Sequence, residues 1–304
     1  MSEEPKIMSV APSFNCKLKC EGCYLTTDVT KEMRDATKGD YYWKRAMEMG
    51  VANGYTEFAM TLNPFPGALD EAIQLAKTAK KIGFQTVNVT VTWDKDWDSK
   101  KVEELIALCD VISESVDENR TSHLNLVFGE KGNLKHFNLN VLWSKELMRR
   151  VNELLDEGKS VSDLSLISQH LDQAISIYDT LNLAQGKLES HRHSPYGAVK
   201  ATVQHLILKP RSLYGEVNFE RAYYALLESG LPIAGGDGHI GDVAMGNVLG
   251  MNNCPGARMV DIDPMGFVRR CPENPVKYDG RTLDSLEKYL RNGVPNCNDD
   301  CNCI

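Results

Sequence analysis

Apolar and polar positions along this chain follow two periods that take turns. Apolar residues recur at helical spacing from Asp40 to Gly50, and a strand-like run, Thr56 to Leu62, stops at Asn63-Pro64. The alternation then repeats. Ala68 to Lys81 has helical spacing and ends before Gly83, and Phe84 to Thr92 is rich in β-branched residues. A helix around Val102 to Leu108 and a strand from Asp110 to Asp117 form the next unit. His136 to Trp143 predicts a strand, Lys145 to Glu157 a helix and Val161 to Ile167 a further strand. Such repetition calls for parallel strands joined by helical crossovers, with the site in the loops after the strands' carboxyl ends. Periodicity leaves open whether the body is a partial barrel or a doubly wound sheet.

From about His191 the pattern loosens. Val199 to Leu208 is strand-like, Lys209-Pro210 follows, and a helix is predicted around Phe219 to Glu228. The run Gly235-Gly236-Asp237-Gly238-His239-Ile240-Gly241 has no strand leading tightly into a helix, so it predicts a loop or linker rather than a phosphate cradle.

Composition adds limits. The 304 residues, 42% of them hydrophobic, suffice for one large domain with a small appendage. No stretch approaches the roughly 18 apolar residues of a spanning helix, so a soluble, cytoplasmic protein is expected. A net charge of −8, from 42 acidic and 34 basic residues, disfavours a nucleic-acid partner. The basic clusters Lys77 to Lys81 and Arg149-Arg150 fall on predicted helices, where solvated faces explain them.

The chemistry concentrates in cysteines. Cys16, Cys20 and Cys23 stand in the run Asn15-Cys16-Lys17-Leu18-Lys19-Cys20-Glu21-Gly22-Cys23-Tyr24. Three thiolates are one fewer than a four-iron cubane needs, which leaves one iron open. A zinc site is the alternative, but no His or fourth Cys lies close by to complete a tetrahedron. Disulfides would need export, and Met1 to Lys6 is not a basic segment leading into a long apolar run.

This Cys-x3-Cys-x2-Cys run closely resembles the signature of the radical S-adenosylmethionine (radical SAM) superfamily. The resemblance implies a partial (β/α)6 barrel over residues 1–235 and a [4Fe-4S] cluster whose fourth iron binds S-adenosylmethionine (SAM). It implies an electron donor such as flavodoxin or ferredoxin, and formation of a 5'-deoxyadenosyl radical. Family members carry Gly-Gly-Glu-Pro after the second strand. Here the place reads Thr61-Leu62-Asn63-Pro64, which keeps only the proline and leaves Asn63 as the candidate SAM contact. In the fourth strand Ser115 and Asp117 match the family's ribose-binding pair, and Tyr24 is a candidate to pack on adenine.

Five of the nine cysteines lie in the last 51 residues: Cys254, Cys271, Cys297, Cys301 and Cys303. Cys254 to Cys271 reads as a β-hairpin turning at Pro264-Met265-Gly266, and Thr282 to Leu290 reads as an amphipathic helix. This order resembles the SPASM or shorter Twitch extension, here 236–304, which holds auxiliary iron-sulfur clusters. Cys254, Cys271, Cys297 and Cys301 are the expected ligands of a second [4Fe-4S] cluster. Cys303 either replaces one of them or acts as a catalytic hydrogen donor. Four thiolates also make a closed zinc site, which stays open as an alternative.

The implied activity is hydrogen-atom abstraction leading to oxidation or epimerisation of a small molecule. A ribosomally made peptide or protein is the alternative substrate. The first cysteine, at position 16, leaves no room ahead of it for a peptide-recognition domain. His191, Arg192, His193 and His239 lie in irregular segments and are candidates to line the substrate pocket. Two other classes fit less well. An activase of a glycyl-radical enzyme would carry further cysteines soon after the first set, and none lies between Cys23 and Cys109. A plain electron-transfer or zinc protein leaves the long β/α body unexplained. Cys109, alone before a strand, reads as a small buried hydrophobe.

Overall fold

The computed structural model describes residues 6–18, 25, 29–94, 96–116, 136–142, 145–161, 202–209, 221, 225, 233–235, 259–270 and 276–295. Of these, 115–116, 136–142, 145–148, 202–209 and 233–235 are described as backbone alone. The strands are β1 (Lys6–Val10), β2 (Tyr55–Leu62), β3 (Thr86–Val91), β4 (Val111–Val116), β5 (His136–Leu142), β6 (Thr202–Lys209), β7 (Ile233–Gly235), β8 (Met259–Ile262), β9 (Phe267–Arg269) and β10 (Tyr278–Asp279). The helices are α1 (Lys31–Asp35), α2 (Asp40–Ala52), α3 (Ala68–Ile82), α4 (Ser99–Leu108), α5 (Lys145–Asp156) and α6 (Leu283–Asn292).

All ten strands join one sheet in the order β10-β9-β8-β1-β2-β3-β4-β5-β6-β7. From β1 to β7 the spatial order is the chain order and every pairing is parallel. A doubly wound sheet reverses direction at a switch point, and no reversal occurs among these seven strands. Right-handed crossovers in sequential order put successive helices on one face. Accordingly α2 packs on α3 and α3 on α4, with α6 against α2.

The two faces of the sheet differ in composition. Met8, Val10, Phe58, Met60, Leu62, Val87, Val89, Val91 and Ile112 lie at alternate positions, are all buried, and face the helices. Between them stand Ser9, Glu57, Ala59, Thr61, Asn88, Thr90 and Ser113 on the inner face. Strand side chains alternate between faces, so this pattern gives one buried face, apolar but for Glu114 beside Val91, and one polar face.

The helices form where their residues require. In α3, Leu69, Ala72, Ile73, Ala76 and Ala79 make the buried stripe, with Asp70 and Glu71 in the first turn and Lys80 and Lys81 in the last, each sign suited to the helix dipole. Gly83, at φ 115°, ends it in the left-handed region. Lys77 pairs with Glu104, and Lys80 reaches the buried Asp110 at 2.5 Å, so these two lysines of the basic cluster are ion-paired, beyond the solvated face that the sequence suggested. A capping box between Thr282 and Ser285 starts α6.

The hairpin expected between Cys254 and Cys271 is present as β8 and β9, paired antiparallel. Its turn is closed by Asp263, whose Oδ1 accepts from the N–H groups of Met265 and Phe267, and by Gly266 at φ 86°. β8 then pairs in parallel with β1, on the side away from β2. β1, α1 and β10 were not evident from the residue pattern; β1 has five residues and β10 two. The predicted strand from Val161 lies outside the described residues beyond Val161 itself, and of the helix predicted around Phe219 to Glu228 only Arg221 and Ala225 are described, both helical.

Candidate functional site

The parallel strands end together, and the loops leaving them form one edge of the sheet. After β1 the chain runs through Ala11, Pro12, Ser13 and Phe14, all buried, to the half-buried Cys16. Ala11 N–H donates to the carbonyl of Ile262 at 3.0 Å, and Asn15 N–H to Ser13 Oγ at 3.0 Å. Leu18 N–H points at Cys16 Sγ, 3.4 Å away, and a donor so placed favours the thiolate.

Lys17 ties this loop to its two neighbours. Its N–H donates to the Pro64 carbonyl at 2.7 Å, so the turn after β2 lies against the cysteine loop. Its ammonium sits 2.6 Å from Oδ2 of the buried Asp94 in the loop after β3, and 3.5 Å from Asp96. The hydrogen bond to Asp94 is the main cause that raises the Lys17 pKa. Asp94 is itself held, accepting from Asp96 N–H at 3.1 Å. A cleft of about 380 Å³ opens here, lined by Asn15, Cys16, Lys17, Arg34, Phe65 and Pro66.

Among the sequence-predicted residues, Cys16 and Asn63 are therefore brought to one place: Asn63, half-buried, precedes the proline that accepts from Lys17. Ser115 lies in β4 with its backbone in register with Asn140. Cys20, Cys23, Tyr24, Asp117, Cys254, Cys271, Cys297, Cys301 and Cys303 lie outside the described residues, as do His191, Arg192, His193 and His239. Cys109 is fully buried and burial pushes its thiol up to about 12, which makes it inert, as its isolated place before β4 implied.

Sequence reasoning missed Lys17 and Asp94, which are separated by too many residues for any local pattern to join them. It also missed the polar residues of the inner face. Ser9 Oγ donates to Asp261 Oδ1 at 2.9 Å, and Arg269 pairs with Asp261 Oδ2 at 2.9 Å, all three buried. On the other side of Ala59, Asn88 Nδ2 donates to Glu57 Oε1 at 3.4 Å, and desolvation raises the Glu57 pKa. A signal existed for these: polar residues alternate with apolar ones in β2 and β3, whereas a parallel strand covered on both faces reads as continuously apolar.

No helix among the described residues is long and apolar enough to cross a membrane. No sequence-family model matches the chain, and no curated protein matches it in sequence. Solved structures match it by fold. SuiB of Streptococcus suis bound to S-adenosylmethionine is 14% identical with a TM-score of 0.50, over 98% of this chain and 65% of SuiB. The chain thus spans about two thirds of that protein's length. Native anSMEcpe with bound AdoMet is 14% identical with a TM-score of 0.57, over 95% of this chain and 80% of that one. At these identities the likeness is one of fold.

Proposed function

We propose that this chain, which shares its fold with two proteins solved with S-adenosylmethionine and carries three cysteines after its first strand, is a radical SAM enzyme. The observation that carries the reading is the position of Cys16. It stands at the carboxyl edge of a singly wound parallel sheet, half-buried, on a cleft of about 380 Å³. That setting suits a cluster ligand: one sulfur open to a cavity, a backbone donor aimed at it, and a loop fastened by Lys17 to both adjoining loops. The fold is then read as a partial (β/α)6 barrel, with the polar inner face as its lumen.

Cys16, Cys20 and Cys23 would hold a [4Fe-4S] cluster and Asn63 the methionine end of SAM, with Tyr24, Ser115 and Asp117 toward the nucleoside. Bound there, the two groups would supply reductive cleavage of the sulfonium and abstraction of a hydrogen atom from the substrate. The chain's own residues supply the rest: the Lys17 bonds fix the loop against the ends of β2 and β3, and the inner face offers hydroxyl, amide and carboxylate groups to a polar substrate. A small molecule is the favoured substrate class.

A second cluster is part of the reading. β8 runs parallel to β1, so the open end of the hairpin, where Met259 and Arg269 lie, is at the amino edge of the sheet, opposite the edge that carries Cys16. Cys254 and Cys271 flank that open end in sequence. Cys297 and Cys301 complete four thiolates, with Cys303 as a fifth that exchanges with one of them or returns a hydrogen atom. Two clusters at opposite edges would leave the lumen between them for substrate.

The test is iron content, EPR and product analysis of anaerobically reconstituted protein. Wild type is expected to hold about eight irons and to release 5'-deoxyadenosine on reduction with SAM. The Cys16→Ala/Cys20→Ala/Cys23→Ala variant is expected to keep about four irons and to release none. A wild type that binds iron but never cleaves SAM sinks the enzymatic reading, and loss of all iron in the triple variant sinks the second cluster.

A further inference from the structure

Glu57 is a half-buried carboxylate on the inner face of the sheet, and among the described residues no lysine or arginine lies within ion-pair distance of it. Its one polar partner is the long 3.4 Å bond from Asn88 Nδ2. The oxygen of that amide, Asn88 Oδ1, is buried and accepts no hydrogen bond among the described residues. A half-buried carboxylate with one long hydrogen bond and no counter-charge is costly, and so is a buried carbonyl without a partner. Further along the row of Asn88 the contrast is plain, because Asp261 has both Arg269 and Ser9.

The surroundings leave room for a third party. Ala59 is in register with Ser9 on one side and Asn88 on the other, so the centre of this row carries only a methyl group and stays partly open. One step toward the carboxyl edge, Thr61 and Thr90 are in register and both partly open. Glu57 lies five residues before the end of β2, about 17 Å below the loops that carry Cys16 and Asn63.

We propose that Glu57, positioned by Asn88, is the deep anchor of the substrate seat and binds a protonated amine, so that the substrate is a small, hydroxyl-bearing amine rather than an anionic compound such as a nucleotide. An ammonium has three donors and no acceptor, which matches a partly open carboxylate served by one long hydrogen bond. Thr61 and Thr90 would meet hydroxyls further up. The anchored end sits far from the cysteine loop, which leaves the substrate's opposite end exposed to the radical. The inference rests on the radical SAM reading and specifies its substrate.

The experiment uses the full, cluster-loaded chain with SAM and a reductant. The small molecules of a cell extract are split by ion exchange into cationic, neutral and anionic pools, and release of 5'-deoxyadenosine is counted with each pool. The stimulation is expressed as a ratio to each protein's own rate without added compound. Wild type is expected to be stimulated at least ten-fold by the cationic pool alone. Glu57→Gln, which keeps the shape and removes the charge, is expected to lose most of that ratio. Should it fail to fold, Asn88→Ala carries the same test with a smaller loss. Stimulation by the neutral or anionic pool, stimulation by no pool, or a cationic response that survives Glu57→Gln overturns the anchor. Wild type that makes no 5'-deoxyadenosine under any condition overturns the radical SAM reading itself, and the anchor with it.

Discussion

The two faces of strands β1 to β4 are made by the same residues of chain, one position out of step, and they do different work. Phe58, Met60 and Leu62 of β2 are almost wholly buried under the helices, while Glu57, Ala59 and Thr61 between them remain partly open. Apolar burial is concentrated on one side and polar groups on the other. A sheet covered by helices on both faces could not divide its labour in this way, because its second face would also have to be dry.

The comparison breaks most visibly at Phe58. Phe58→Ala on the helix face is expected to cost about 3–5 kcal/mol in denaturant unfolding, whereas Asn88→Ala on the inner face should leave stability within about 0.5 kcal/mol or raise it, since it removes an orphaned acceptor. Equal losses at both positions would mean that the inner face is also core.

Asp261 sharpens the rule as its exception, being on the inner face yet buried with Arg269 and Ser9. Asp261→Asn is expected to cost about 2 kcal/mol, because it leaves the buried guanidinium facing a neutral amide. At the carboxyl edge, Asp94→Asn removes the ionic half of the contact with Lys17, whose side chain is 46% exposed, so stability should change by at most about 1 kcal/mol. Its readout is instead iron release under a chelator, expected to become several-fold faster.

The smallest effects are two acid titrations of opposite sign. Arg281 holds the Asp279 carboxyl down from its ordinary 3.8 to about 2, so its contribution is present above 3.8 and is lost as pH falls through that window. Desolvation raises Glu57, so its ionisation takes stability away as pH rises from 4.5 through the raised value. Asp279→Asn should flatten the first change and Glu57→Gln the second, both read from stability against pH.

Much of this was legible in advance because it depends on local period. The segments Ala68 to Lys81 and Thr56 to Leu62 announced α3 and β2 nearly to the residue, and the hairpin turn at Pro264-Met265-Gly266 was marked by its proline and glycine. β1 was not marked, since five residues carry too little pattern to separate a strand from a leader to the cysteine loop. The alternation Thr86-Val87-Asn88-Val89-Thr90-Val91 was also in the residues, and it marks a strand with one polar face rather than two apolar ones. Of the site, Cys16 and the nearness of Asn63 followed from motif and strand order. Lys17 with Asp94, and Glu57 with Asn88, are products of register between strands, which no single segment encodes.

The position of β1 between β2 and β8 sets a clock for biosynthesis. Ser9 meets Asp261 across 252 residues of chain, so the strand that leads into the cysteine loop gains its second neighbour only after that length has been made. At about 5–20 residues per second, the ribosome needs roughly 13–50 s to supply it. During that interval the first thiols have emerged on a strand flanked on one side only. On the proposed reading, iron delivered then would meet an unfinished edge, so cluster loading that waits for the β8–β9 hairpin is the order this topology favours.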